Sequence, residues 1–253
     1  MTPLLSFLLF FTTLGGGLLP FLIVGKPTYF PSLLTFSGSY LFSSVLLHMV
    51  PELFEHVDCN AHGGILANPG LFLLLGFLLQ LFLDLLGANV THGHMGEHPL
   101  KKSRGCCLHR TSSLHFLVPA LLLHSLLDGF LIKETDMNTF FAVLLHKIPA
   151  AFTLTTILCN RNHRRKSVLI ILVLFSLATP IGSLLYQKMR SGNLLAHPYD
   201  MWLSAIAIGS LFHIAATILF ESNPNHQLHR SKWIAIFAGA LLAILNQNWM
   251  HQH

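Results

Sequence analysis

Apolar residues along this chain fall into eight runs, each near the twenty residues that a helix needs to cross about 30 Å of hydrocarbon. The runs are Leu4–Val24, Leu33–Phe54, Gly70–Val90, Leu114–Leu131, Thr139–Cys159, Val168–Tyr186, Met201–Phe220 and Trp233–Trp249. The last is the weakest, because Asn246, Gln247 and Asn248 thin its end. Backbone groups in lipid must be satisfied within their own segment, so such runs form helices. The pattern predicts an all-α integral membrane protein with eight transmembrane helices. The link KETDMN between the fourth and fifth runs is short, which makes those two helices antiparallel neighbours. The opening MTPLLSFLLFF lacks the basic flank of a signal peptide and is expected to be the first helix.

Composition supports the membrane class. Charged residues make up 10% and hydrophobic residues 53% of the 253 positions, whereas a soluble domain carries about 25% charged residues. The net charge of +5 does not point to nucleic acid, because no basic patch is interleaved with aromatics. Topology explains the basic residues better. With the N-terminus outside, Lys26, Lys101, Lys102, Arg104, Arg110, Arg161, Arg164, Arg165, Lys166, Arg230 and Lys232 fall in inside links. Only Lys133, Lys188 and Arg190 fall in outside links, and Lys147 lies within a run. That bias predicts an outside N-terminus and an outside C-terminus. Residues 1–253 then form one transmembrane domain, with a His-rich cytosolic loop at about 91–113. The four cysteines form no CxxC pair and receive no role. The 17 histidines outnumber the 10 acidic residues, which directs attention to transition metals or protons.

The candidate chemistry lies where polar residues interrupt apolar runs. Asp or Lys at the centre of a membrane helix costs about 2.5–3.5 kcal/mol, so such residues mark an ion pathway or a buried pair. The fourth run contains HSLLDGF, with His124 and Asp128 spaced i,i+4 on one helical face. The fifth contains HKIPAAF, with His146 and Lys147 near its middle. Gly129 lets a neighbouring helix approach Asp128 closely. Pro149 leaves the Leu145 carbonyl without its helical donor. His124, Asp128 and His146 then converge as N, O and N ligands, a set that suits Zn²⁺ or Fe²⁺ better than Mg²⁺ or Ca²⁺. The blander reading pairs Asp128 with Lys147 and bonds both imidazoles to backbone.

Elsewhere the second run ends LLHMVPELFEHVD, with His48 and Glu52 spaced i,i+4 and an acidic mouth beyond them. Pro51 frees the Leu47 carbonyl. The third run carries Gln80 and Asp84, best read as glue between helices. His213 sits mid-way along the seventh run, as a helix-contact histidine or a path residue. His92, His94 and His98 form a short His-rich tract in the third loop, a compositional signal for loose metal binding.

HSLLDG and HKIPAAF resemble the ZIP (Zrt/Irt-like) family of divalent metal transporters. LLHMVPE, SLATPIGSLL and LFHIAATILFE extend the resemblance over nearly the whole chain. It implies metal-ligand roles for His124, Ser125, Asp128 and His146. His48, Glu52, Lys147 and His213 are read as transport path or gating residues. Lys147, Ala150 and Thr179 depart from residues that form a second metal site in many members. With an ammonium where a second cation's acidic ligand would be, a single central site is expected. The resemblance also implies that spans one, four, five and six slide against the other four, and that the protein is a homodimer in the lipid bilayer. The expected function is transport of a divalent transition metal into the cytosol across a plasma (inner) membrane. Zn²⁺ is the first choice of substrate, with Fe²⁺, Mn²⁺ and Cd²⁺ open to the same ligands. The alternative is a zinc-dependent intramembrane hydrolase, although no HExxH motif is present.

Overall fold

The computed structural model describes residues 3–22, 30–55, 68–88, 112–132, 137–160, 163–192, 199–221 and 230–250. All regular structure among them is helical. Helix α1 is Pro3–Leu22. Helix α2 is Phe30–Ser44 and runs on through a π-helical turn, Val45–Met49, into Val50–Glu55. Helices α3 to α6 are Pro69–Ala88, Ser112–Leu131, Met137–Asn160 and Arg165–Ser191. Helices α7 and α8 are Tyr199–Glu221 and Arg230–Met250. Each of the eight coincides with one of the apolar runs. Five of them, α1, α2, α5, α6 and α7, are long and apolar enough to cross a membrane. Helices α3 and α4 carry shorter apolar stretches, Pro69–Leu85 and Val118–Leu131. The protein is a multi-pass membrane protein. Its outward faces are apolar, with Leu74, Phe82, Ile181, Leu184 and Phe237 exposed.

The largest boundary difference is at α6, which extends beyond Val168–Tyr186 at both ends. Its 27 residues reach about 40 Å at 1.5 Å per residue, more than the hydrocarbon thickness. Arg165 and Lys166 at one end and Lys188 and Arg190 at the other lie on that overhang. Hydropathy reports only the lipid-covered part. Helix α3 has a local start signal: Pro69 takes the first position, and the Asn68 Oδ1 accepts the Gly70 N–H at 2.9 Å.

The π turn precedes Pro51, which has no N–H to offer the Leu47 carbonyl. Gln247 of α8 supplies the missing donor, its Nε2 lying 2.9 Å from that carbonyl. Next to it, Asn246 Nδ2 donates to the Tyr40 hydroxyl at 3.1 Å. The polar end that makes the eighth run look weak thus bonds to α2, beside the Ser39 Oγ to Ile236 carbonyl bond further along the same helix pair.

The closest helix pairs are α3 with α7, α2 with α8, α4 with α6, and α1 with α5. The α1–α6 and α2–α7 contacts join these pairs into the two groups that the resemblance implies, α1, α4, α5 and α6, and α2, α3, α7 and α8, although contacts between the groups are as extensive as these joining ones. The groups meet along α3–α4, α2–α5 and α4–α7. Glycines set the tightest seams. A Cβ on Gly129 would overlap the Thr179 carbonyl of α6, and one on Gly182 would overlap the Leu126 carbonyl of α4. Gly76 and Gly209 play the same reciprocal part between α3 and α7, facing the Ile206 and Leu73 carbonyls. Such contacts gain dispersion energy where lipid removes the usual hydrophobic drive. The expected close approach at Gly129 is present, and it fixes α4 with Asp128 turned inward.

Candidate metal centre

His124 and Asp128 come from one face of α4, and His146 and Lys147 from consecutive positions of α5. All four are almost fully buried, at 4%, 2%, 1% and 1% exposure. The Nε2 atoms of the two imidazoles flank the carboxylate. His124 Nε2 lies 3.5 Å from Asp128 Oδ1, and His146 Nε2 lies 3.4 Å from Asp128 Oδ2. One ligand atom from each of the three residues lies within 4.8 Å of the others. No other described His, Cys, Asp or Glu joins them in a cluster of this kind.

The tautomer of His146 follows from its partner. Its Nδ1 is 3.0 Å from the Ala142 carbonyl, which can only accept. The neutral ring therefore carries its proton on Nδ1 and presents a lone pair at Nε2. That lone pair faces a carboxylate oxygen, an electrostatically poor contact. Consistent with this, His146 Nε2 is buried without a hydrogen-bond partner among the described residues, whereas Asp128 Oδ2 has the Lys147 ammonium against it. Buried polar atoms are normally satisfied, so this unpartnered lone pair beside a carboxylate suits a positive ligand.

Lys147 occupies the other side of Asp128. Its Nζ lies 3.2 Å from Asp128 Oδ2, an ion-pair contact, and 4.6 Å from the centre of the Phe175 ring. It also donates to Ser125 Oγ. The Ser125 hydroxyl lies 3.0 Å from the Phe175 carbonyl and 3.1 Å from Thr179 Oγ1. Thr179 in turn donates to the Ser125 carbonyl at 2.6 Å. The structure thus brings Ser125 into the site on the Lys147 side. Thr179, a departure from the family pattern, ties α6 to α4 there. The Asp128–Lys147 pair of the blander reading is present, but it leaves the His146 Nε2 lone pair unexplained.

His48, Glu52 and His213 stand outside the central cluster. His48 lies in the π turn, with Nε2 3.9 Å from Glu52 Oε2, both side chains partly exposed. Glu52 lines a cavity of about 30 Å³ with Met49, Leu131, Thr139, Ser204 and Ile208, at the end of the bundle where α4 stops and α5 begins. His213 Nε2 lies 3.0 Å from Asp84 Oδ2, and its ring stands edge-on to Phe77. Gln80 Nε2 donates to Asp84 Oδ1 at 3.1 Å within α3, and both residues reach α7, Asp84 through His213 and Gln80 through Ser210. His92, His94 and His98 lie outside the described residues.

Sequence reasoning missed Ser210. Its Oγ is 3.3 Å from His124 Nδ1 and donates to Gln80 Oε1 at 3.0 Å. The one available signal was that Ser210 precedes His213 by three residues and so shares its helical face.

A helical, multi-pass membrane protein with a buried cluster of two imidazoles and a carboxylate is the class that fold and site define. The chain belongs to the ZIP zinc transporter family, whose model, described as ZIP Zinc transporter, matches residues 92–247. Among similar proteins, Zinc transporter ZIP1 of Plasmodium falciparum is 24% identical over 274 residues, covering 82% of this chain and 75% of that protein. Zinc transporter ZIP9 of Xenopus tropicalis is 30% identical over 139 residues, covering 52% of this chain and 42% of that protein. Protein zntD of Dictyostelium discoideum is 27% identical over 118 residues, 44% of this chain and 17% of its own length. The family is one of transporters rather than enzymes, which sets aside the hydrolase alternative.

Proposed function

We propose that the protein moves a divalent transition metal, zinc first of all, across its membrane into the cytosol. His124, Asp128 and His146 hold the ion at a single site between α4 and α5. The observation that carries this reading is the convergence of three buried ligand atoms within 4.8 Å, with the His146 Nε2 lone pair unpartnered among them. Two neutral imidazoles and one carboxylate suit zinc, and water completes the shell. The names of the relatives, zinc transporters ZIP1 and ZIP9, support zinc as the substrate. Fe²⁺, Mn²⁺ and Cd²⁺ would meet the same donors.

Lys147 makes the site mononuclear in this reading. Its ammonium stands against the carboxylate where a second cation would sit, and Ser125 holds it there. With one carboxylate shared between ion and ammonium, binding is moderate, which suits a cargo that must also leave. Glu52 and His48 lie on the approach through the cavity beside them, and Asp84 with His213 on the departure side. All eight helices span the bilayer, both termini face outside, and His92, His94 and His98 collect the ion in the cytosolic loop. A homodimer in a plasma membrane completes the proposal.

The test is ⁶⁵Zn uptake into proteoliposomes by wild type, Asp128→Ala and Lys147→Ala, with equilibrium zinc binding measured beside it. Uptake by wild type that Asp128→Ala abolishes supports the site. A folded wild type that binds one zinc per chain and moves none would overturn the transport reading.

A further inference from the structure

His124 is the one proposed ligand whose second ring nitrogen is held by a side chain from the opposite helix group. Its partner can be worked out proton by proton. Asp84 accepts and cannot donate when ionised, so Gln80 must turn its amide NH₂ toward Asp84 Oδ1, at 3.1 Å. The Gln80 carbonyl oxygen then faces Ser210, which donates to it at 3.0 Å. Ser210 has a single hydroxyl proton, now used, so toward His124 Nδ1, at 3.3 Å, it can only accept. His124 must therefore carry its proton on Nδ1. Its Nε2 is left as a lone pair aimed at the Asp128 side of the cluster. His146 reaches the same tautomer through a backbone carbonyl of its own helix.

We infer that Gln80 and Ser210 are positioning residues for metal binding: they fix the tautomer and ring orientation of His124 through the chain Asp84–Gln80–Ser210–His124. This rests on the proposed site and deepens it. Partners of this kind around metal-bound histidines change affinity about 10–100-fold when removed. Gln80 and Asp84 belong to α3 and Ser210 to α7, whereas His124, Asp128 and His146 belong to α4 and α5. The support therefore crosses the α4–α7 seam between the two helix groups. Any rearrangement that parts the groups removes the acceptor from His124 Nδ1 and frees the ring to rotate or change tautomer. Affinity for the ion is thereby tied to how the two groups sit.

The experiment uses the full chain in nanodiscs, with Zn²⁺ and Co²⁺ as probes. Affinity is read by calorimetry, Co²⁺ geometry by visible absorption, and the His124 tautomer by ¹⁵N NMR of histidine-labelled protein. Ser210→Ala should weaken binding about 10–100-fold, alter the Co²⁺ spectrum and mix the His124 tautomers. Ser210→Thr, which keeps the hydroxyl, should restore all three. Gln80→Met combined with Ser210→Ala should cost no more than Ser210→Ala alone. Wild-type affinity and spectrum in Ser210→Ala, with Asp128→Ala binding nothing, would overturn the positioning role and leave the site standing. Undiminished binding in Asp128→Ala and His124→Ala would overturn the site, and this inference with it. Apo-state melting of Ser210→Ala near wild type separates positioning from folding, and a melt that falls with affinity while the tautomer stays fixed overturns the role.

Discussion

His146 Nε2 faces Asp128 Oδ2 across 3.4 Å with no hydrogen between them, because the proton of that ring is committed to the Ala142 carbonyl. A lone pair buried in the protein and aimed at a carboxylate disfavours the metal-free site, even with Lys147 on the other side of that oxygen, and favours the loaded one. His146→Ala should accordingly reduce zinc affinity about 100-fold or more, equivalent to about 2.7 kcal/mol. It should destabilise the apo protein less than an ordinary buried His→Ala change, since an unfavourable contact leaves with the ring. Calorimetric titration and apo-state melting check the two halves. Retained affinity would remove His146 from the ligand set.

Lys147 gives a prediction of opposite sign for stability. Removing one partner of a buried pair leaves the other charge uncompensated, at a cost of about 3–5 kcal/mol. Lys147→Met should therefore lower the apo melting temperature through the stranded Asp128 carboxylate. Zinc supplies a new counter-charge at that carboxylate, so saturating zinc should raise the melting temperature of Lys147→Met by more than it raises that of wild type. Equal zinc shifts in the two proteins would mean that ion and ammonium do not share Asp128.

Why the central residues could be read from the sequence is a matter of cost. An Asp, a Lys or a His inside an apolar run is expensive in lipid, so each stands out, and i,i+4 spacing assigns faces without tertiary knowledge. His124, Asp128, His146 and Lys147 were legible on that ground, as was the all-helical fold. Ser210 was not, because a serine in a membrane helix is cheap and can bond back to its own turn. Its role depends on α7 meeting α4, a contact between residues far apart in the chain. Ser125 was expected at the site through the family resemblance alone, and its engagement with Lys147 and Thr179 depends on how α4, α5 and α6 pack. The overhang of α6 escaped hydropathy because its ends are basic and lie outside the apolar run.

The glycine seam between α4 and α6 predicts a contrast within one residue type. A methyl at Gly129 meets the Thr179 carbonyl and the Ser183 amide, both backbone atoms that cannot yield. Gly129→Ala should cost about 1–3 kcal/mol, the usual penalty of overpacking, and should displace Asp128 enough to weaken zinc binding. Gly15 in α1 has nothing within 4 Å of the same methyl position. Gly15→Ala should leave zinc binding unchanged and add about 0.5–1 kcal/mol of stability from helix propensity. Thermal melts and zinc titrations of the two variants side by side read both effects, and similar behaviour would refute the close-packed seam.

The π turn of α2 offers a test that needs no metal. Pro51 cannot bond the Leu47 carbonyl, and Gln247 reaches across from α8 to do so at 2.9 Å. Gln247→Leu should therefore cost about 0.5–1.5 kcal/mol, the net value of a typical hydrogen bond, since water can reach this end of the helix. Pro51→Ala returns a backbone donor to α2 and allows the turn to close as regular α-helix. In that background the same Gln247→Leu change should cost much less, so the double-mutant cycle should give a coupling of about 1 kcal/mol. The turn also carries His48, and straightening it rotates the following residues relative to those before it. Pro51→Ala should thus slow zinc uptake while improving stability, and Gln247→Leu should lower stability with a smaller effect on uptake. Additive losses in the cycle would show that Gln247 serves α8 alone and that the proline is not what shapes the turn.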